Sequence, residues 1–122
     1  MTAASILKIA VTSEGPTLAD PVDPRFGRAG GFVVVDLASM ATTYVDNGSS
    51  QVLAQGAGIQ AAENLVKAGA QALLTGHVGP KAWAALQAAE VKVVQGVEAM
   101  TVGEAVARFK AGEFAFSDAP SR

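Results

Sequence analysis

Residues Ala72 to Trp83, Ala-Leu-Leu-Thr-Gly-His-Val-Gly-Pro-Lys-Ala-Trp, constrain the fold more than any other stretch of this chain. An apolar run ends at Thr75, two glycines bracket the histidine, and Pro80 opens a segment of helix formers. That is the pattern of a buried strand turning sharply into a helix N-terminus, and it points to an α/β architecture. Such a turn leaves backbone N–H groups without intrahelical partners and aims the positive end of a helix dipole at whatever lies above it. The stretch also holds the only histidine, His77, and the only tryptophan, Trp83, with Lys81 just inside the helix. One reading is a cradle for an anion. The other is a turn of the kind every α/β protein needs, and this stretch alone leaves both open.

The rest of the chain supplies a sheet for that strand to join. Strands are predicted at Ile6 to Thr12, Phe32 to Leu37, Ala41 to Val45, Leu73 to Leu74 and Val91 to Val94, the second and third joined as a hairpin through Ala38-Ser39-Met40. Ile59, Ala62, Leu65 and Val66 recur at helical spacing between Ala57 and Ala68, with Gly69 placed to end that helix. A second helix runs from Pro80 to Ala89. A third begins at Thr101, whose partner Glu104 completes a capping box, and carries the stripe Val102, Ala105, Val106, Phe109 toward Gly112. With an antiparallel hairpin and right-handed crossovers, this order gives a five-stranded mixed sheet, 3-2-1-4-5, with strand 2 opposing the others. Ligands of such sheets sit beyond the carboxyl ends of strands where connections diverge, here between strands 1 and 4. Four loops reach that edge: Ser13 to Gly31, Asn47 to Gly58, Gly76 to Pro80 and Gly96 to Thr101. The first, with three prolines and four glycines, is expected to make few buried contacts and to be mobile. The chain is expected to be a single domain over residues 1–122, with a core from about 6 to 112 and a loose tail from Ser117 to Arg122.

Composition then removes whole classes of function. There is no cysteine, so disulfides, thiolate catalysis and cysteine-ligated zinc or iron-sulfur sites are excluded. Nine basic against eleven acidic residues leave no broad basic footprint for nucleic acid. No run of about 18 apolar residues and no secretion signal is present, so no membrane partner is expected and the location is expected to be cytoplasmic. A monomer is expected. Gly-x-Ser-x-Gly is absent, the first strand lacks the carboxylates of a two-metal nuclease, and Asp36, Asp46 and Glu63 read as turn and surface groups. Gly76-His-Val-Gly-Pro-Lys81 has the wrong spacing for a Walker loop and no Ser or Thr after the lysine. Binding therefore stands ahead of catalysis. In the first loop, Asp23-Pro-Arg-Phe-Gly-Arg28 places two guanidinium groups, suited to oxyanions, around an aromatic. A solvated loop whose Phe26 plugs the core is the equal alternative. Arg25, Arg28, His77 and Lys81 together predict a local cationic pocket.

Four segments then carry a resemblance. Asp23-Pro-Arg-Phe-Gly-Arg-Ala29, Gly56-Ala-Gly-Ile59, Ala72 to Lys81 and Val93-Val-Gln-Gly-Val97, in that order, resemble the dinitrogenase iron-molybdenum cofactor-binding family over roughly Lys8 to Gly112. The resemblance implies a three-layer, ribonuclease-H-like α/β/α fold and a non-enzymatic carrier or scaffold. The small single-domain members imply a molybdenum-copper sulfide cluster, or a related molybdenum or iron-sulfur cofactor, held without covalent bonds to protein. A preformed sulfide cluster brings its own soft ligands and negative charge, so Arg, Lys, His and backbone N–H donors suffice and the missing cysteine is no objection. Carried onto this chain, the family's positions fall on Arg25, Phe26, Gly27 and Arg28 and on Gly76, His77, Gly79 and Pro80. All of these but Pro80, with Gly56 and Lys81, make the expected cofactor-binding set: Arg25, Phe26, Gly27, Arg28, Gly56, Gly76, His77, Gly79 and Lys81. His77 is the first candidate for direct contact, by donating to a cluster sulfur in preference to ligating a metal through neutral imidazole. Trp83 reads as core. Assembly ATPases are implied as possible protein partners. Two other readings remain: a small phosphate- or nucleotide-binding enzyme using the Gly76 to Lys81 turn, and a regulatory module that senses cofactor for an assembly partner.

Overall fold

The computed structural model describes residues 6–48 and 56–121. The first five residues, the middle of the expected Asn47 to Gly58 loop and the last residue of the tail lie outside them. Strand β1 (Lys8–Ser13) is followed by a 3-10 turn (Phe26–Arg28), then by β2 (Gly31–Asp36), β3 (Thr42–Asp46), helix α1 (Ala57–Lys67), β4 (Ala72–Leu74), α2 (Pro80–Ala88), β5 (Lys92–Val94) and α3 (Val102–Lys110). The sheet runs β3-β2-β1-β4-β5. β2 is antiparallel to both β1 and β3, while β4 is parallel to β1 and to β5. The sheet order and the single reversed strand are those expected.

Each face of the sheet takes one helical layer, because alternate side chains of buried strands point to opposite sides. Ala10, Leu73 and Val93 face Ala61, Leu65, Ala82 and Leu86, so α1 and α2 cover one face. Ile9, Val11, Leu74 and Val94 face Val102, Ala105 and Val106, so α3 covers the other. The result is a three-layer α/β/α domain. The hairpin turn is held by Asp36, whose Oδ1 accepts from the Ala38 and Ser39 amides at 2.9 and 3.1 Å, and Asp46 accepts from the Gly48 amide, so both act as the turn groups expected. At α3 the Thr101 hydroxyl accepts from the Glu104 amide and the Glu104 carboxylate from the Thr101 amide, the reciprocal capping box.

Two expectations need correction. The first loop is not short of buried contacts. Val22, Asp23, Phe26 and Ala29 are buried, Asp23 N donates to Thr12 O at 2.9 Å, and Val22 N donates to Met100 O at 3.0 Å. The Val102 and Gly103 amides donate back to Asp20 and Leu18. The loop's own backbone groups therefore find partners in neighbouring loops, which composition does not reveal. Nor does the tail, as far as residue 121, run free. Ser117 N donates to Val93 O of β5 at 2.7 Å and Ser121 N to Val78 O, in the turn before α2, at 2.8 Å, so the tail runs from the edge of β5 to that turn. An uncovered strand edge offers unpaired carbonyls, and the tail satisfies that of Val93.

Candidate cofactor site

Three chain segments meet at one open cavity of about 590 Å³. Arg25, Phe26, Gly27 and Arg28 line it from the 3-10 turn, Gly56, Ala57 and Gly58 from the start of α1, and His77, Gly79, Pro80, Lys81 and Ala82 from the turn into α2. The segments approach this closely because small residues meet between them. A Cβ on Gly27 would stand 3.0 Å from the Gly58 nitrogen, and one on Gly58 would stand 2.8 Å from Ala82 Cβ.

Both helices begin at the cavity with a glycine at the N-cap, which has no side chain to cap with. The N-cap of α1 is Gly56, at a φ of 77° that glycine adopts without strain, and that of α2 is Gly79, followed by Pro80 at the first helical position. Neither cap residue offers an oxygen to the first-turn N–H groups, so two helix dipoles present their positive ends to the same space. Arg25, Arg28, His77 and Lys81 are exposed around it. The sequence separation of about fifty residues between Arg25 and His77 closes through the backbone. The two residues form a parallel bridge, with His77 N donating to Pro24 O at 3.0 Å.

Phe26 plugs the core and borders the cavity at once. It is 2% exposed and stacks on Phe32 with ring centroids 5.7 Å apart, yet it also forms part of the cavity wall. Eight of the nine residues expected to bind cofactor border the cavity. Gly76 does not. It is buried behind the turn, where a Cβ would stand 2.5 Å from Pro24 Cβ and Pro24 O, so its smallness serves the contact between the turn and the first loop. The loop Gly96 to Thr101 likewise stays behind the site: Gly96 N donates to Gly76 O at 2.7 Å, and Thr101 bridges Pro21. Trp83 is half-buried and packs against the core under α1 and α2, as expected.

Other residues that shape the site were not in the expected set. Ala57, Gly58 and Ala82 line it; Gly58 lies inside a quoted motif, whereas nothing in the sequence distinguishes Ala82 from its many alanine neighbours. Asp23 opens the arginine-bearing motif. Its side chain is 5% exposed, and its Oδ1 accepts from the Arg25 amide at 3.0 Å. Its two oxygens also accept from Arg25 Nε and Nη2, each at 3.3 Å. That hydrogen bonding first, and the carboxylate's charge second, raise the Arg25 pKa above its ordinary value, so the guanidinium stays cationic. Gln95, just after β5, holds the histidine turn from below. Its Oε1 accepts from the Val78 amide at 2.8 Å and from the Ser121 hydroxyl, and its Nε2 donates to Ala119 O at 2.9 Å.

Among the described residues, no group of three or more His, Asp or Glu side chains could hold a metal ion. His77 therefore belongs to no such group there, and the arrangement is one of donors and positive charge around an apolar wall. Such a site suits a compact anion that carries its own ligands.

Among curated proteins no match was found. The family model described as dinitrogenase iron-molybdenum cofactor matches residues 5–112. The apo form of the orange protein from Desulfovibrio gigas is 59% identical, with 96% of this chain and 98% of that chain covered and a TM-score of 0.94. A Thermotoga protein described as NifB and assigned to the DUF35 family is 32% identical over 96% of this chain and 98% of its own, with a TM-score of 0.82. On the extent of the family match and the shared fold of these relatives, the chain belongs to the dinitrogenase iron-molybdenum cofactor family.

Proposed function

We propose that this protein is a non-enzymatic carrier or scaffold for an anionic, molybdenum-containing metal-sulfur cluster, in the first instance a molybdenum-copper sulfide cluster, held non-covalently in the cavity between the 3-10 turn and the N-termini of α1 and α2. The observation that carries the reading is the convergence, in a cysteine-free chain, of Arg25, Arg28 and Lys81 with two helix N-termini whose N-cap residues are glycines.

The donor set fits that cargo. A sulfide cluster has its metals already coordinated, so it asks the protein for countercharge and for N–H groups directed at its sulfurs. The guanidinium groups of Arg25 and Arg28 and the ammonium of Lys81 would supply charge, His77 a ring N–H, and the first turns of α1 and α2 backbone donors. Phe26, Ala57, Pro80 and Ala82 would shield one side from water and strengthen those interactions by lowering the local dielectric. The family and the orange protein's likeness support a cofactor-binding role over a catalytic one. A cytoplasmic monomer that exchanges its cargo with an assembly partner, such as an ATPase, completes the proposal.

The test is titration of the purified protein with tetrathiomolybdate and a copper salt. A stable coloured complex of fixed stoichiometry is expected, weakened roughly tenfold or more in Arg25→Ala/Arg28→Ala, since each lost charged donor removes a strong hydrogen bond. If no protein-dependent chromophore forms, the proposal fails. Saturable nucleotide binding with turnover in magnesium would put a nucleotide enzyme in its place.

A further inference from the structure

We propose that Asp23 is a resident counter-ion that competes with the cargo for Arg25 and so keeps the site able to release what it binds; the inference rests on the anion-carrier reading above. Asp23 is one of only a few buried polar or charged residues, and the only ionisable one, among the described residues. Its carboxylate is not the far end of a long flexible side chain that happens to meet a cation. The Arg25 amide fixes Oδ1 at 3.0 Å, and the two oxygens take one edge of the guanidinium through Nε and Nη2. Arg25 itself is 64% exposed in its side chain and borders the cavity, so its guanidinium is open to an anion there.

Two consequences follow from this geometry and they oppose one another. Holding one edge of the guanidinium limits its freedom, which favours binding by cutting the entropy of ordering. The same carboxylate places a negative charge behind the cation and repels a multiply charged anion. The carboxylate is almost fully removed from solvent while the guanidinium is largely in it, so the repulsion is screened less than the attraction it opposes. Because the repulsion grows with the charge of the anion, it outweighs the gain from ordering, while Arg25 itself stays attractive. The turn, moreover, survives its loss: an amide or hydroxyl at position 23 still accepts from the Arg25 N–H, as in Asx and Ser/Thr turns.

Asp23→Asn and Asp23→Ser separate the two effects. With tetrathiomolybdate as probe, both variants should bind it about tenfold more tightly than the wild-type protein at low ionic strength and release it more slowly. The gain should shrink as salt is added and vanish in an Arg25→Ala background. A purely structural role for Asp23 could only weaken binding, so the sign of the change is diagnostic. Equal or weaker binding in both variants, with thermal unfolding showing them folded, overturns the inference and leaves the carrier reading intact. Absence of saturable binding in wild type and variants alike removes the carrier reading, and this inference with it.

Discussion

Gly76 and Gly79 flank the same histidine and do different work. A Cβ at Gly76 would press into Pro24 at 2.5 Å, whereas one at Gly79 would meet nothing within 4 Å. Gly76→Ala is therefore expected to lower stability by about 1–3 kcal/mol, the usual cost of forcing volume into packed surroundings. Gly79→Ala should stay within about 1 kcal/mol, because it disturbs only a helix cap. Urea unfolding of the two variants gives the comparison, and equal losses would mean that the contact with Pro24 is not tight. This distinction was invisible in the sequence, where both glycines belong to one motif. That Arg25, Arg28, His77 and Lys81 gather at one cavity was legible, because the order of strands and helices brings their loops to one edge of the sheet. Asp23 and Gln95 were not, for opposite reasons. Asp23 looks like an ordinary loop residue until its burial is seen, and Gln95 acts through partners 17 and 26 residues away that no local pattern connects.

At the level of elements, local signals were read well and long-range tethers poorly. The capping box at α3 is a three-residue pattern, and both of its hydrogen bonds form. The Thr101 amide and hydroxyl hold the Glu104 carboxyl below its ordinary pKa of 4.5, and the Ser39 and Ala38 amides do the same for Asp36 from 3.8. Since the folded values are depressed, the stabilisation is complete above the ordinary values and is lost as pH falls through the folded ones. Glu104→Gln should accordingly flatten the decline of the unfolding temperature between neutral pH and the acid side of that window, and an unchanged pH profile would remove the cap's electrostatic part. The anchors of the first loop and the tail are not legible in the sequence because they are main-chain bonds to distant segments. Val22 and Asp23 amides should exchange with solvent nearly as slowly as those of β1, measured residue by residue, whereas fast exchange there would restore the mobile loop first expected. Gln95→Ala would leave the Val78 amide without its acceptor beneath the histidine turn, at a cost of about 1–3 kcal/mol in unfolding free energy. An unchanged unfolding midpoint would show that the tail does not brace the site.

On the scale of the molecule, topology decides where chemistry can occur. A right-handed path from β3 through α1 to β4, and from β4 through α2 to β5, brings both helix N-termini to the carboxyl end of the sheet. That much followed from the order of strands and helices. What the order could not give is the side of the sheet: the cavity lies over the face covered by α1 and α2, because Phe26 is drawn into that core and carries its flanking arginines with it. A site assembled in this way has charge and donors but no cysteine to hold the proposed cluster covalently, so unfolding is expected to free that cluster intact. The most direct measurement is therefore metal and sulfide analysis, with a visible spectrum, on protein purified from its native source and then on the small-molecule fraction after denaturation. The account predicts molybdenum in stoichiometric amount with inorganic sulfide and charge-transfer bands, all passing into the small-molecule fraction on unfolding. A colourless, metal-free protein would contradict it.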